Sequence, residues 1–176
     1  MNPPTASGVS DNGLYRSDVT ITFASTVTAT LDGIVFSSGG VVSAEGDHSL
    51  VLTNRSNGMT TTINFTIDKS GPTATVESSS ATVLEFAIGE DLYLGSGDSK
   101  SPINTGFDMK SHLLYSAGVT IDTAEYDGNE DKVVVTLSAP APTDATITFN
   151  KGNKCDAAGN PMAADVVATF DGNDWN

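Results

Sequence analysis

Apolar and polar residues alternate along much of the chain. In "DVTITF", residues 18–23, Val19, Ile21 and Phe23 share one face, while Asp18, Thr20 and Thr22 take the other. The same period runs through "TTTINFTID" (60–68), which groups Ile63, Phe65 and Ile67. "DKVVVTLS" (131–138) groups Val133, Val135 and Leu137, and "ATITFN" (145–150) groups Ile147 and Phe149. A period of two predicts strands with one face buried and one wet. The connections carry turn chemistry at Asp32-Gly33, Gly39-Gly40, Asn57-Gly58 and Asp127-Gly128-Asn129. Gly, Asn and Asp accept the positive φ that tight hairpins need. Short strands joined this way predict an all-β chain of antiparallel sandwiches.

Two stretches break the pattern. "FDMKSHLLY" (107–115) is the one helical candidate, with Asp108 as a cap and Met109, His112 and Leu113 toward one side. Before it, "GEDLYLGSGDSKSPINTG" (89–106) reads as a long irregular loop, a candidate for function or mobility. The stretch "IDKSGPTATV" (67–76) poses a different question, because Gly71-Pro72 interrupts two strand patterns. Its Pro72-Thr73-Ala74 repeats Pro4-Thr5-Ala6, 68 positions earlier, which is the length of a small module. The expected organisation is a linker at 1–7, a small domain at 8–72, a larger domain at 73–170 and a C-terminal tail at 171–176.

Composition agrees with strands through its β-branched residues: 22 of the 176 residues are threonine, with many valines, although only 7% are aromatic. The net charge is −14, from 8 basic and 22 acidic side chains. Residues 1–72 carry 3 basic and 6 acidic groups (−3), and residues 73–176 carry 5 and 16 (−11). Such a charge repels phosphate backbones and anionic lipid, leaving cations, cationic surfaces and neutral glycans as partners. The single cysteine, Cys155, excludes an internal disulfide and a thiolate metal cluster. No run reaches the ~18 apolar residues of a transmembrane helix. "MNPPTASG" is no signal peptide. Taken literally that means cytoplasmic; the preferred expectation is a monomeric piece cut from a larger secreted protein, started within a linker.

Residues 8–73 resemble the short immunoglobulin-like modules of bacterial secreted and cell-surface proteins. The likeness rests on "GLYRSDVTITF", "ATLDGIVFSSGGVVSAEGDHSLVLT" and "TTTINFTIDKSGPT" in that order. Where such modules often carry an Asp-x-Ala-Gly-Asn turn, this chain has "TNRSNGM". Residues 76–170 are similar to a second type of bacterial Ig-like module, found in S-layer proteins, adhesins and large secreted enzymes. The matching pieces are "VLEFAIGEDLY", "DMKSHL", "AEYDGNEDKVVVTLSAPAPTDATITF" and "CDAAGNPMAADVVATF". The resemblance implies two tandem antiparallel Ig-like β-sandwiches at a bacterial surface. It also implies a role as spacer or display element, with neighbouring modules of the same polypeptide as partners.

Catalytic chemistry finds little material. His48 and His112 fall in different modules, and His48 in "EGDHSLVL" is expected at a strand start with its ring near solvent. "GSGDSKS" lacks the strand–loop–helix setting of a phosphate loop. Calcium is the cofactor the composition invites, since Ca²⁺ takes six to eight oxygen ligands from Asp, Asn and carbonyl groups on turns. The candidates are Asp127, Asn129 and Asp131 in "DGNED", and Asp171, Asn173 and Asp174 in "FDGNDWN"; "CDAAGNP" also offers Asp156 and Asn160, but reads first as a loop shaped by Gly159 and Pro161. "DGNED" is not an EF-hand, because the sixth and twelfth positions hold Lys132 and Ser138. An alternative function is binding of cell-wall, host or plant glycans, for which Tyr93, Tyr115 and Trp175 are the aromatic candidates. A Lys–Asn isopeptide bond would draw on Lys69, Lys132 or Lys151, which lie in or near predicted strands where outward polar lysines are also expected.

Overall fold

The computed structural model describes residues 2–176. The chain divides into two compact units, one running through Ser70 and the other spanning Gly71–Asn176. Both are all-β, and among the described residues no helix is long and apolar enough to cross a membrane.

Module 1 contains β1 (Ala6–Ser7), β2 (Gly13–Tyr15), β3 (Val19–Phe23), β4 (Val27–Leu31), β5 (Ile34–Phe36), β6 (Gly40–Val42), β7 (Gly46–Asn54) and β8 (Thr60–Ile67). They form a three-stranded sheet, β1-β3-β6, and a five-stranded sheet, β2-β8-β7-β4-β5. Both sheets fill one core: Val19, Ile21 and Val42 from the first meet Leu50, Leu52, Ile63, Phe65 and Ile67 from the second. The predicted faces are the buried ones, with Ile21 and Leu50 fully enclosed. The antiparallel expectation has one exception, because β2 runs parallel to β8 and pairs Gly13 with Phe65. Of the expected linker 1–7, residue 1 lies outside the described residues, and Ala6–Ser7 pair with Phe23 and Thr22 on β3.

Module 2 contains β9 (Ala74–Ser80), β10 (Val83–Ile88), β11 (Tyr93–Ser96), β12 (Ser99–Pro102), β13 (Phe107–Asp108), a 3₁₀ turn (Lys110–His112), β14 (Leu113–Tyr115), β15 (Ile121–Asp127), β16 (Lys132–Leu137), β17 (Thr146–Phe149), β18 (Lys154–Cys155) and β19 (Val166–Thr169). The sheets are β13-β15-β16-β10-β9, β12-β11-β18 and β14-β17-β19. Their shared core includes Leu84, Phe86, Tyr126, Val133, Val135, Ile147, Phe149 and Ala168. Phe86 and Phe149 stack with ring centroids 5.4 Å apart.

Two expectations from the sequence give way here. The segment 107–115 is not an α-helix. Phe107 pairs with Tyr126 and Leu113 with Phe149, leaving one 3₁₀ turn between two strands. A helix of two turns has too few hydrogen bonds to offset its nucleation cost, so strand pairing at both ends wins. Asp108 is not the cap: Met109 holds that position without a side-chain cap bond, while Asp108 Oδ1 accepts the Lys110 N–H at 2.9 Å just before the turn. The supposed irregular loop 89–106 holds the β11–β12 hairpin, pinned to the core by Leu92 and Ile103. Gly95 permits it, because its φ is +127° and an added Cβ would lie 2.1 Å from the Ser99 carbonyl oxygen.

The seam residue Gly71 also answers to packing. A Cβ there would stand 2.1 Å from the carbonyl oxygen of Pro161, so only glycine lets these backbones meet.

Candidate functional site

In module 1 the polar chemistry gathers at His48. It is the third residue of β7, in step with Leu50 and Leu52, and β-strand alternation turns it inward. Its side chain is therefore buried at 9% exposure, which corrects the expectation of a ring near solvent. The ring lies 5.3 Å from the ring of Phe65, its cross-strand partner on β8. Nδ1 is 2.8 Å from Asp32 Oδ2, and Nε2 is 3.0 Å from the Ala44 carbonyl oxygen. Asp32 sits at φ +51° in the β4–β5 turn, and its Oδ1 accepts the Ser49 N–H at 2.8 Å.

Both atoms facing the imidazole are acceptors only, so the arrangement is complete when the ring is protonated and both nitrogens donate. Burial lowers the pKa of His48, but the hydrogen bonds to Asp32 and Ala44 and the charges of Asp32 and Asp47 outweigh it. The net direction is upward from 6.5. Asp32 is held below the ordinary carboxylate range by His48 and by the Ser49 amide. A groove of about 530 Å³ runs past this pair, bordered by Asn12, Leu14, Asp47 and Thr66. Asp47 is itself engaged, accepting the Thr66 hydroxyl at 2.6 Å.

The residues that follow this cluster hold the end of the module. Residues 43–45 connect β6 to β7. Glu45 Oε1 accepts the Lys69 N–H at 2.6 Å and the Ser70 hydroxyl at 3.1 Å. Lys69 Nζ donates to the Ser43 carbonyl at 2.6 Å and to Asp18 Oδ1 at 2.5 Å.

Module 2 has its own buried polar knot. Asp156 is fully enclosed in the turn "DAAGN". Its Oδ1 accepts the Gly159 and Asn160 N–H groups at 2.6 and 2.8 Å, and its Oδ2 accepts the Asn160 side-chain amide at 2.8 Å. Two residues before it in sequence, Lys154 is 1% exposed. Its ammonium donates to the Asn150 carbonyl and lies 4.8 Å from the centroid of Phe149. Burial pulls its pKa down to about 8, with Asp165 acting weakly the other way.

The calcium candidates in "DGNED" and "FDGNDWN" occupy two separate turns, and their carboxylates bond within the chain. Asp171 Oδ1 accepts the amides of Asn173 and Asp174, and its Oδ2 accepts the Asn176 amide. Residues 171–176, expected as a tail, fold back so that Phe170 bridges Trp175. Asp127 Oδ1 accepts the Asn129 amide, and Asp131 Oδ1 accepts the hydroxyl of Tyr126. The aromatic candidates also differ in setting. Trp175 is 2% exposed and packs on Phe170 at 5.3 Å, so it belongs to the core. Tyr93 is half-buried on β11, and Tyr115 is exposed on β14, in another sheet. Of the isopeptide candidates, Lys69 pairs with Asp18, Lys132 pairs with Glu85 and Glu130, and Lys151 donates to the Ala163 carbonyl.

Sequence reasoning missed the Asp32–His48 pair and the buried Lys154. For the first, only the inward direction of His48 was readable, from parity with Leu50 and Leu52; its partner Asp32, 16 residues away, was not. The second leaves no such sign, because β18 is only two residues long. Scans against protein-family models and curated proteins find no match for the chain.

Proposed function

We propose that the chain is a non-catalytic spacer or display segment of a secreted, multi-modular bacterial surface protein, built from two tandem Ig-like sandwiches. The observation that carries this reading is that each unit encloses its own core, Ile21, Leu50 and Phe65 in one and Phe86, Val135 and Phe149 in the other. A segment of self-contained modules extends a polypeptide without depending on a ligand or an active centre. The polar groups support it. His48 has both ring nitrogens engaged, so it offers no lone pair to a substrate hydroxyl. Asp156 and Asp171 spend their oxygens on amides that shape turns.

Glycan binding is the second reading, favoured by one feature. Tyr115 is 52% exposed on β14 and so presents a ring face on which a sugar can rest. Retention on insoluble polysaccharides and cell-wall preparations separates the two. The spacer reading expects none. Retention abolished by Tyr115→Ala in a folded variant would replace it with the binding reading.

A further inference from the structure

We propose that His48 is a pH-operated brace that sets how firmly module 1 grips Lys69 and Ser70, the residues by which the chain leaves it. Such a brace would operate whether or not the chain serves as a spacer.

The geometry links ring to exit in two steps. Nε2 bonds the Ala44 carbonyl, and Ala44 lies between Ser43 and Glu45. Those two neighbours supply the acceptors for Lys69 Nζ, Lys69 N–H and the Ser70 hydroxyl. A protonated ring donates to Asp32 and Ala44 together. On losing its proton to solvent the ring keeps one N–H. The Asp32 carboxylate is the stronger acceptor, so the remaining N–H stays on Nδ1. The Nε2 lone pair then faces the Ala44 oxygen, acceptor against acceptor, and residues 43–45 lose their tether to β7.

The charged groups around the ring all favour the protonated form. Asp32 faces it from the β4–β5 turn and Asp47 adjoins it on β7, while β8 contributes the uncharged Phe65. The grip has an acid limit as well. Glu45 is held below its ordinary 4.5 by the Lys69 amide and the Ser70 hydroxyl, and protonation at lower pH removes the charge that strengthens both bonds. The brace thus operates between the pKa of Glu45 and that of His48.

The test is NMR on the full chain, which has only two histidines. His48 is expected to titrate with a midpoint above 6.5, and His112, whose pKa burial lowers, serves as the internal reference below it. Amide exchange at Lys69, divided by its intrinsic rate at each pH, should lose several-fold protection as pH rises through the His48 midpoint. A His48→Gln variant should flatten that dependence, and Asp32→Asn should move the midpoint down. A ring that titrates at or below 6.5 overturns the proposal. So does Lys69 protection that stays level while the ring titrates, a result read on the wild-type chain even if neither variant folds.

Discussion

Lys154 buries an ammonium group beside one carbonyl and one ring face, with the charge of Asp165 acting weakly on it. The unfolded chain holds that proton to about 10.5, while the folded one releases it near 8. Between these values the unfolded state binds more protons, so the stability of module 2 rises with pH across that window. Below it the buried charge costs roughly 3 kcal/mol, because each tenfold loss of proton affinity is worth about 1.36 kcal/mol. Lys154→Met keeps the length of the side chain and removes the charge. It should raise the stability of module 2 at pH 7 by up to that amount, read by denaturant unfolding, and the gain should vanish above pH 10.5. No gain at neutral pH would mean the charge is better satisfied than its partners suggest. Sequence could not expose this cost, since a lysine in "KGNKCDAAGN" looks like any other turn residue.

At the level of elements, Tyr126 joins segments that the sequence leaves separate. Its hydroxyl accepts the Leu92 N–H at 3.2 Å and donates to Asp131 at 3.1 Å. One buried phenol thereby ties the start of the β11–β12 hairpin to the β15–β16 turn. Burial is the main reason its pKa is raised to about 12. Tyr126→Phe preserves the ring packing but strips both partners of a hydrogen bond, and an unsatisfied buried donor costs about 1–3 kcal/mol. Thermal unfolding should show that loss, with faster amide exchange at Leu92; an unchanged Leu92 amide would rule out the tie. The alternating strands were legible here because packing on a sheet requires a period of two. The segments 89–106 and 107–115 were not, because their strands have two to four residues and short pieces declare no period.

For the whole molecule, two cores predict two folding units. Fragments 2–70 and 71–176 should each fold alone, giving cooperative unfolding and dispersed amide spectra. Their pH responses should run in opposite directions. His48 has a raised pKa, so its contribution is fully present below 6.5 and is lost as pH rises through its folded value. Module 2 gains between about 8 and 10.5 through Lys154. Trp175, the single tryptophan, is buried in module 2, so fluorescence follows that fragment. A fragment without a cooperative transition would show that its core is not self-sufficient.

Alternation and turn chemistry are local, and they were enough to dictate the all-β class and the buried faces of β3, β8, β16 and β17, though not that of β7 at His48. Gly71-Pro72 was visible as a break, but the close approach of the Pro161 backbone that demands glycine there was not. Where the polar groups go was left to the folded chain. Asp32 and His48 are 16 residues apart, and Lys69 and Glu45 are 24 apart. Contacts between distant residues depend on how strands pair across a sheet, and no local pattern encodes that pairing.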